Sequence, residues 1–308
     1  MSASVIKVSA SEMKKIQLYY QSDRLAKTAP YTLFTAKKNQ TTITAYQSGK
    51  VMFQGANAEK EAALWASSGT TPTAKKAASG GDPLPAGFSE RNAIGSDEVG
   101  NGSYFGPLVV CAVYAERTHL PHLKEIGVKD SKMLTDPQIR AMAPKIKALV
   151  PFQLLTVTPE KYNQIQPAYN TVRMKVALHN QAIRLLLEKI APQKPEAILI
   201  DQFTSEKNYR TYLQSEKNAV TSPLYFATKG EQYHLSVAAA SILCRTVFLE
   251  ELDKASKELG FRVPSGAGNP SDLVAAKILQ LGGEDLLGKY AKLHFANTEK
   301  AKKIASRN

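Results

Sequence analysis

Short apolar runs and longer stretches of helical periodicity alternate along the last two thirds of the chain. Short runs rich in Ile, Leu, Val and aromatic side chains predict buried strands, and apolar residues three and four apart predict helices. In one such stretch, Val172, Val176 and Ile183 fall on one helical face. This alternation of strands and helices predicts an α/β fold class. The predicted strands are 92–97, 107–114, 152–158, 196–201 and 223–228, and the predicted helices are 135–149, 171–190, 234–259 and 271–281.

The beginning of the chain shows a different pattern, in which apolar and polar residues alternate as in half-buried strands. Gln47–Lys50 has the composition of a hairpin turn, which indicates antiparallel neighbours. The pattern predicts a small antiparallel sheet with flanking helices, that is, an α+β unit. Its predicted strands are 31–36, 41–46 and 51–55, and its predicted helices are 11–22 and 58–65.

A segment almost without large apolar side chains separates these two patterns. Residues 67–88 are rich in Gly, Pro, Ser, Thr and Ala, which is typical of a flexible linker. We therefore expect an N-terminal domain over 1–66, a linker over 67–88 and a second domain over 89–308.

The charge of the chain points to a polyanionic partner. Lys and Arg number 40 against 27 Asp and Glu in 308 residues, and residues 1–80 alone hold 11 basic and 4 acidic side chains. Nucleic acid and an anionic membrane surface both fit such a balance. Cationic and aromatic side chains on the predicted N-terminal strands suit a nucleic-acid backbone, and the candidates are Lys37, Lys38, Tyr46 and Lys50.

Apolar segments long enough for a bilayer do not occur in this sequence. The first residues also lack the apolar stretch of a signal peptide, so we expect a cytoplasmic protein with no membrane partner. Cys111 and Cys244 both lie in apolar surroundings, which predicts reduced core residues.

Carboxylates stand at the end of three predicted strands. Asp97 and Glu98 end the first strand, Asp201 ends the fourth, and Glu231 follows the fifth closely. Strand ends meet at one edge of an open α/β sheet, so we expect these acids to converge. Clustered carboxylates must be partly protonated or must bind hard cations, and oxygen ligands favour Mg²⁺ or Mn²⁺. Two further acids compete for the fourth position, namely Glu206 and Asp130.

Three other motifs admit two interpretations each. Gly100-Asn101-Gly102 is either a plain hairpin turn or a turn whose backbone approaches a ligand. Lys129-Asp130-Ser131-Lys132 is either a solvated basic turn or a substrate contact. The small residues Ser236–Ser241 either pack a helix against the sheet or place the Ser236 hydroxyl at a phosphate.

Taken in order, these motifs resemble the type 2 ribonucleases H. The match covers residues 89–308 and also includes Lys229-Gly230-Glu231 and Lys292–Thr298. An extra N-terminal domain, and Glu231 where the sister group has Asp, make the chain similar to bacterial ribonuclease HIII in particular. The resemblance implies a ribonuclease H-like mixed sheet with flanking helices, preceded by a domain similar to the TATA-binding protein fold.

The same resemblance implies an endonuclease that cleaves the RNA strand of an RNA/DNA hybrid. It assigns Asp97, Glu98, Asp201 and Glu231 to catalysis with two Mg²⁺ or Mn²⁺ ions, leaving 5′-phosphate and 3′-hydroxyl ends. It also implies that the glycine-rich turn contacts ribose 2′-hydroxyls. We further expect a monomer. The substrate-binding set that follows is Gly100, Asn101, Gly102, Lys129, Ser131, Lys132 and Ser236.

Two other functions remain open at this level. Excision of single ribonucleotides from DNA, as in ribonuclease HII, is an alternative within the same class, against which the N-terminal domain and Glu231 argue. A non-catalytic nucleic-acid-binding protein would instead have structural acids, and it would produce no fragments with Mg²⁺ or Mn²⁺.

Overall fold

The N-terminal part forms a four-stranded antiparallel sheet. Its strands lie in the order β1 (Ala3–Lys7), β4 (Lys50–Gly55), β3 (Thr41–Tyr46) and β2 (Thr32–Lys38). The computed structural model describes residues 3–25, 32–65 and 84–306, and the chain divides into two units, 1–78 and 79–308. The first unit consists of β1 (Ala3–Lys7), α1 (Ala10–Tyr19), β2 (Thr32–Lys38), β3 (Thr41–Tyr46), β4 (Lys50–Gly55) and α2 (Ala58–Ala63).

One face of this sheet forms the core of the first unit, and no described helix of this unit packs on the other face. Phe34, Ile43 and Phe53 pack with Ile16 of α1 and with α2 on the covered face. Strand alternation places the intervening residues on the opposite face. That open face carries Val5, Lys7, Lys37, Thr42, Thr44, Tyr46, Lys50, Met52 and Gln54.

The second unit is built on a five-stranded mixed sheet with the order β7-β6-β5-β8-β9. Strands β5, β8 and β9 run parallel, whereas β6 pairs antiparallel with both β5 and β7. The strands are β5 (Ala93–Val99), β6 (Leu108–Ala115), β7 (Phe152–Val157), β8 (Ala197–Asp201) and β9 (Leu224–Ala227).

Helices cover both faces of this sheet. All eight residues of β6 are buried, and alternate ones contact opposite layers. Val109 and Cys111 join the core that includes α4 (Asp136–Leu149) and α8 (Leu235–Leu259), whereas Val110 and Ala112 join the core that includes α6 (Thr171–Ile190) and α7 (Glu206–Leu213). The helices are α3 (Leu120–Ile126), α4 (Asp136–Leu149), α5 (Pro159–Ile165), α6 (Thr171–Ile190), α7 (Glu206–Leu213), α8 (Leu235–Leu259), α9 (Asn269–Tyr290) and α10 (Ala296–Ala305).

The predicted α/β fold class of the second unit is confirmed, and its strand bounds are close to those expected. Five helices of the second unit differ from prediction, and three of them, α3, α5 and α10, lie outside the predicted helical segments. The polar segment around Glu206 forms α7 rather than a loop, and α9 extends beyond its predicted end across a kink at Gly282 and Gly283. The expected linker lies mainly outside the described residues.

No helix in the described parts of the chain is long and apolar enough to cross a membrane. The predicted core positions of both cysteines are confirmed, since Cys111 and Cys244 are buried free thiols.

Close contact between β5 and α8 positions the edge of the sheet at which the acids stand. A Cβ atom at Gly95 would lie 2.3 Å from the backbone nitrogen of Val237 and 2.4 Å from Oγ of Ser236. Both neighbours belong to the first turn of α8, so only glycine allows the helix to approach this strand so closely.

Gly95→Ala should therefore lower the free energy of unfolding by about 1–3 kcal/mol, since the added methyl group overpacks the contact. Chemical denaturation of the two proteins measures the difference. Gly102→Ala is the control, because nothing lies within 4 Å of its added Cβ. Equal stability of Gly95→Ala and the wild type would mean that α8 moves away from β5 without cost.

Candidate active site

The parallel strands bring the predicted acids to one edge of the sheet. Ser96 pairs in register with Ile200, so Asp97 and Asp201 follow side by side on β5 and β8. Glu231 lies in a single 3₁₀ turn, Gly230–Gln232, after β9. Strand alternation sends neighbouring side chains to opposite faces, so Asp97 and Glu98 leave β5 in different directions.

Asp97 points towards α8. Its Oδ1 atom accepts a hydrogen bond from the backbone N–H of Glu98 at 2.7 Å, and the Ser241 side chain also bonds to this carboxylate. Burial, followed by the charges of Glu98 and Asp201, raises the pKa of Asp97 well above its usual value, and these two hydrogen bonds oppose the rise.

Asp201 and Glu231 also have raised pKa values. Burial raises the pKa of Asp201, although the Gly230 N–H donates to its Oδ1 atom at 2.8 Å and opposes the rise. Burial also raises the pKa of Glu231, with further contributions from Asp201 and Asp130. Oε1 of Glu231 is buried and has no hydrogen-bond partner among the described residues.

Glu98 points the other way, towards α6, and is fully compensated there. Lys175 donates to its Oε1 atom at 2.9 Å and His179 donates to its Oε2 atom at 3.0 Å. Burial alone would raise the pKa of Glu98, but the hydrogen bond and charge of His179, and then those of Lys175, lower it overall. Glu98 is therefore the one acid of the four whose pKa is lowered overall.

The carboxylates fit hard divalent cations by their chemistry. Three of them have raised pKa values, and the partnerless oxygen of Glu231 needs a donor or a cation. Mg²⁺ and Mn²⁺ prefer such all-oxygen ligands. In the described part of the chain, no three acidic, His or Cys side chains already stand at the separations of a metal cage. The acids would therefore have to adjust around an ion.

The predicted glycine-rich turn lies directly after β5. Gly100 has φ +100°, and a Cβ there would lie 2.0 Å from the carbonyl oxygen of Pro107, so this position requires glycine. Asn101 and Gly102 are exposed, which leaves their backbone accessible to a ligand.

A fully buried lysine anchors this turn from below. Lys292 donates through Nζ to the carbonyl oxygens of Ser103, at 2.9 Å, and Gly106. Its backbone N–H donates to the carbonyl oxygen of Tyr104. Lys292, the first residue of the Lys292–Thr298 motif, thus holds the turn in place.

Two predicted substrate contacts are buried instead. Ser236 is completely buried and its hydroxyl pairs with Nδ1 of His234 at 2.7 Å, which favours the packing interpretation over the phosphate contact. Ser131 is also buried and lies 2.8 Å from Oγ of Ser241. Because Ser241 bonds to Asp97, Ser131 supports that carboxylate indirectly. Close packing of α8 on the sheet excludes both hydroxyls from solvent.

The lysines of the same motif remain accessible. Lys129 and Lys132 are exposed, and the charge of Lys132 acts on both Asp201 and Glu231. Of the two competing acids, Asp130 caps the backbone N–H of Lys132 close to the site. Glu206 instead pairs with Arg210 at 2.7 Å on α7.

Sequence reasoning missed Lys175 and His179. They lie four residues apart, within the apolar stripe of α6, and both are buried. The ring of Phe203 covers them, since Nζ of Lys175 lies 4.0 Å from its centroid and the His179 ring stacks on it at 5.1 Å. A lysine at a core-facing helical position is a signal that could have found this pair, because Lys is almost never fully buried unless paired.

In the N-terminal unit, three of the four predicted side chains share one surface. Lys37, Tyr46 and Lys50 lie on the open face of the sheet, where Lys7 joins them. Lys38 points to the other side of β2, where its Nζ lies 3.2 Å from Asp23 and 4.4 Å from the ring centroid of Tyr19.

Comparison with known proteins matches both units. The sequence model of the family Ribonuclease HII matches residues 94–298, and a Domain of unknown function (DUF3378) matches residues 3–78. Ribonuclease HIII of Enterococcus faecalis is 63% identical over 300 residues, covering 97% of this chain and 98% of the relative. Ribonuclease HIII of Bacillus licheniformis is 49% identical over 313 residues, with 100% of both covered. The crystal structure of Bst-RNase HIII in complex with Mn²⁺ is 41% identical, with a TM-score of 0.71 and 100% of both chains covered.

The anchor of the glycine-rich turn yields a prediction about pH. Burial lowers the pKa of Lys292 from 10.5 to about 7. Between these values the unfolded chain binds a proton that the folded chain does not, so this group makes stability rise with pH. Lys292→Met should flatten that rise when unfolding is measured from about pH 7 to about pH 10. Lys289→Met, at an exposed position on α9, should keep the wild-type slope. An unchanged slope in Lys292→Met would show that Lys292 does not titrate in this range.

Proposed function

Since the chain belongs to the type 2 ribonucleases H, and within them to ribonuclease HIII, we propose that the acid-lined edge of its second unit is the catalytic centre. The activity is endonucleolytic hydrolysis of the RNA strand of RNA/DNA hybrids. The observation that supports this centre best is the convergence of Asp97, Glu98, Asp201 and Glu231 at the ends of three parallel strands.

We propose Mg²⁺ or Mn²⁺ as the cofactor, two ions per site, held by these four carboxylates. The solved structure of the relative Bst-RNase HIII contains Mn²⁺, which supports this choice. When bound, such ions supply the charge that activates a water and stabilises the leaving 3′-oxygen, so that 5′-phosphate and 3′-hydroxyl ends result. Burial, and then the charges of neighbouring acids, raise the pKa values of Asp97, Asp201 and Glu231, and a bound cation would offset the repulsion between these charges.

The remaining residues orient the substrate. We propose that the exposed backbone of Gly100, Asn101 and Gly102 contacts ribose 2′-hydroxyls, the groups that distinguish RNA from DNA. Lys129 and Lys132 would bind phosphates beside the acids. Lys132 acts electrostatically on two of these carboxylates, which supports a role for its positive charge in binding a phosphate beside them.

The first unit would add affinity for the hybrid. We propose that residues 1–66 form a substrate-binding domain, that 67–88 link it to the catalytic domain over 89–308, and that the open sheet face contacts the nucleic-acid backbone. Lys7, Lys37 and Lys50 supply its positive charge, and Tyr46 offers an aromatic ring. We further propose a monomeric enzyme of the cytoplasm.

Asp97→Asn should abolish cleavage of the RNA strand while hybrid binding persists. The amide keeps the size of the side chain but loses the negative charge that a divalent cation requires. Cleavage of an end-labelled hybrid is measured with Mg²⁺, with Mn²⁺ and with chelator, and binding is measured by fluorescence anisotropy. Glu206→Gln is the matched control, because Glu206 pairs with Arg210 and should be dispensable. Cleavage at the wild-type rate by Asp97→Asn would refute the assignment.

Replacing Lys7, Lys37 and Lys50 together by Gln should weaken hybrid binding and reduce its salt dependence. The slope of log affinity against log salt is negative, and each lost phosphate contact reduces its magnitude by about 0.7 to 0.9. The binding constant is measured over a series of salt concentrations. Lys38→Gln is the control, since Lys38 faces Asp23 on the other side of the strand. If the triple variant keeps the wild-type slope, the open face does not contact phosphates.

A further inference from the structure

We propose that Lys175 is a built-in counter-ion of Glu98 that competes with divalent cations, so that it stabilises the metal-free site and weakens metal binding. It acts through Glu98 and is a positioning residue rather than a catalytic one. The inference rests on the proposed metal site and goes beyond it, because it assigns a regulator of metal affinity outside the four acids.

Burial makes this ion pair different from a surface salt bridge. The side chains of Lys175 and Glu98 are 5% and 10% exposed, and Nζ lies 2.9 Å from Oε1. Glu98 is the only carboxylate within ion-pair distance of Lys175 in the described residues. A buried ammonium group requires a compensating charge, so the two side chains depend on each other.

The position of the pair connects it to metal binding. Glu98 follows Asp97 on β5, and its charge acts on both Asp97 and Asp201. A positive charge beside Glu98 therefore lowers the negative potential of the whole acid cluster. Because a divalent cation is attracted by the same potential, Lys175 must oppose its binding.

The contacts of His179 allow the charge of Lys175 to be removed while Glu98 keeps its orientation. His179 holds the other oxygen of Glu98 at 3.0 Å, and its Nδ1 atom lies 2.7 Å from Oγ of Ser96, which in turn donates to the carbonyl oxygen of Cys111. Phe203 stacks on the His179 ring. Loss of Lys175 would thus leave Glu98 anchored through His179 and remove mainly a positive charge.

The decisive experiment measures Mn²⁺ binding to the full-length chain at pH 8, from the electron paramagnetic resonance signal of free Mn²⁺. Lys175→Met should bind Mn²⁺ roughly tenfold more tightly than the wild type, because one opposing charge is gone. Its melting temperature in chelator should fall, and the increase on adding Mn²⁺ should be larger than in the wild type. Lys189→Met is the matched control, since this exposed lysine on the same helix contacts the carbonyl oxygen of Phe152 and should behave as the wild type.

Lys175→Gln covers the case in which the Met variant does not fold. Gln can still donate a hydrogen bond to Glu98 but carries no charge, so it should also bind Mn²⁺ more tightly. Unchanged or weaker Mn²⁺ binding by a folded Lys175 variant would overturn the inference and leave the metal site intact. A wild type that binds no Mn²⁺ would overturn the proposed metal site and the inference together.

Discussion

Repulsion among four carboxylates at one sheet edge is the constraint that the second unit has to accommodate. Asp97 and Asp201 have raised pKa values because they are buried together. Only Glu98 is fully compensated, through Lys175 and His179. Backbone N–H groups, such as that of Gly230, stabilise part of the negative charge of the other carboxylates. The negative charge that is left over supports the proposed binding of divalent cations at this edge, whose affinity the nearby basic residues would tune.

Neighbouring residues of β5 point to opposite faces of the sheet, so two different helical layers stabilise Asp97 and Glu98. Asp97 belongs to the α8 side, where Ser241 and Ser131 support it. Glu98 belongs to the α6 side, where buried basic groups hold it. Because one strand joins both layers, a change in the packing of either helix affects the same group of carboxylates. The close approach of α8 to the strand limits how far the Asp97 side can move.

Much of the fold could be predicted, since hydrophobic periodicity is a local property. The parallel strands and the convergence of their terminal acids followed from apolar runs that end in carboxylates. Helix α7 was not predicted because its sequence is polar; an N-cap at Ser205 and the Glu206–Arg210 pair support it. Ser236 resembled a phosphate ligand by position, but the packing of α8 buries it completely.

By itself, the sequence determined the types of chemistry that the chain holds: four acids at strand ends, a glycine-rich turn after β5 and an excess of basic residues. Tertiary structure alone decided which groups compensate those acids. Lys175 and His179 lie more than 70 residues from Glu98 along the chain, and Lys292 lies more than 180 from the turn it anchors. Local patterns report a residue's own face and spacing, whereas burial and charge pairing depend on elements that meet only in the folded molecule.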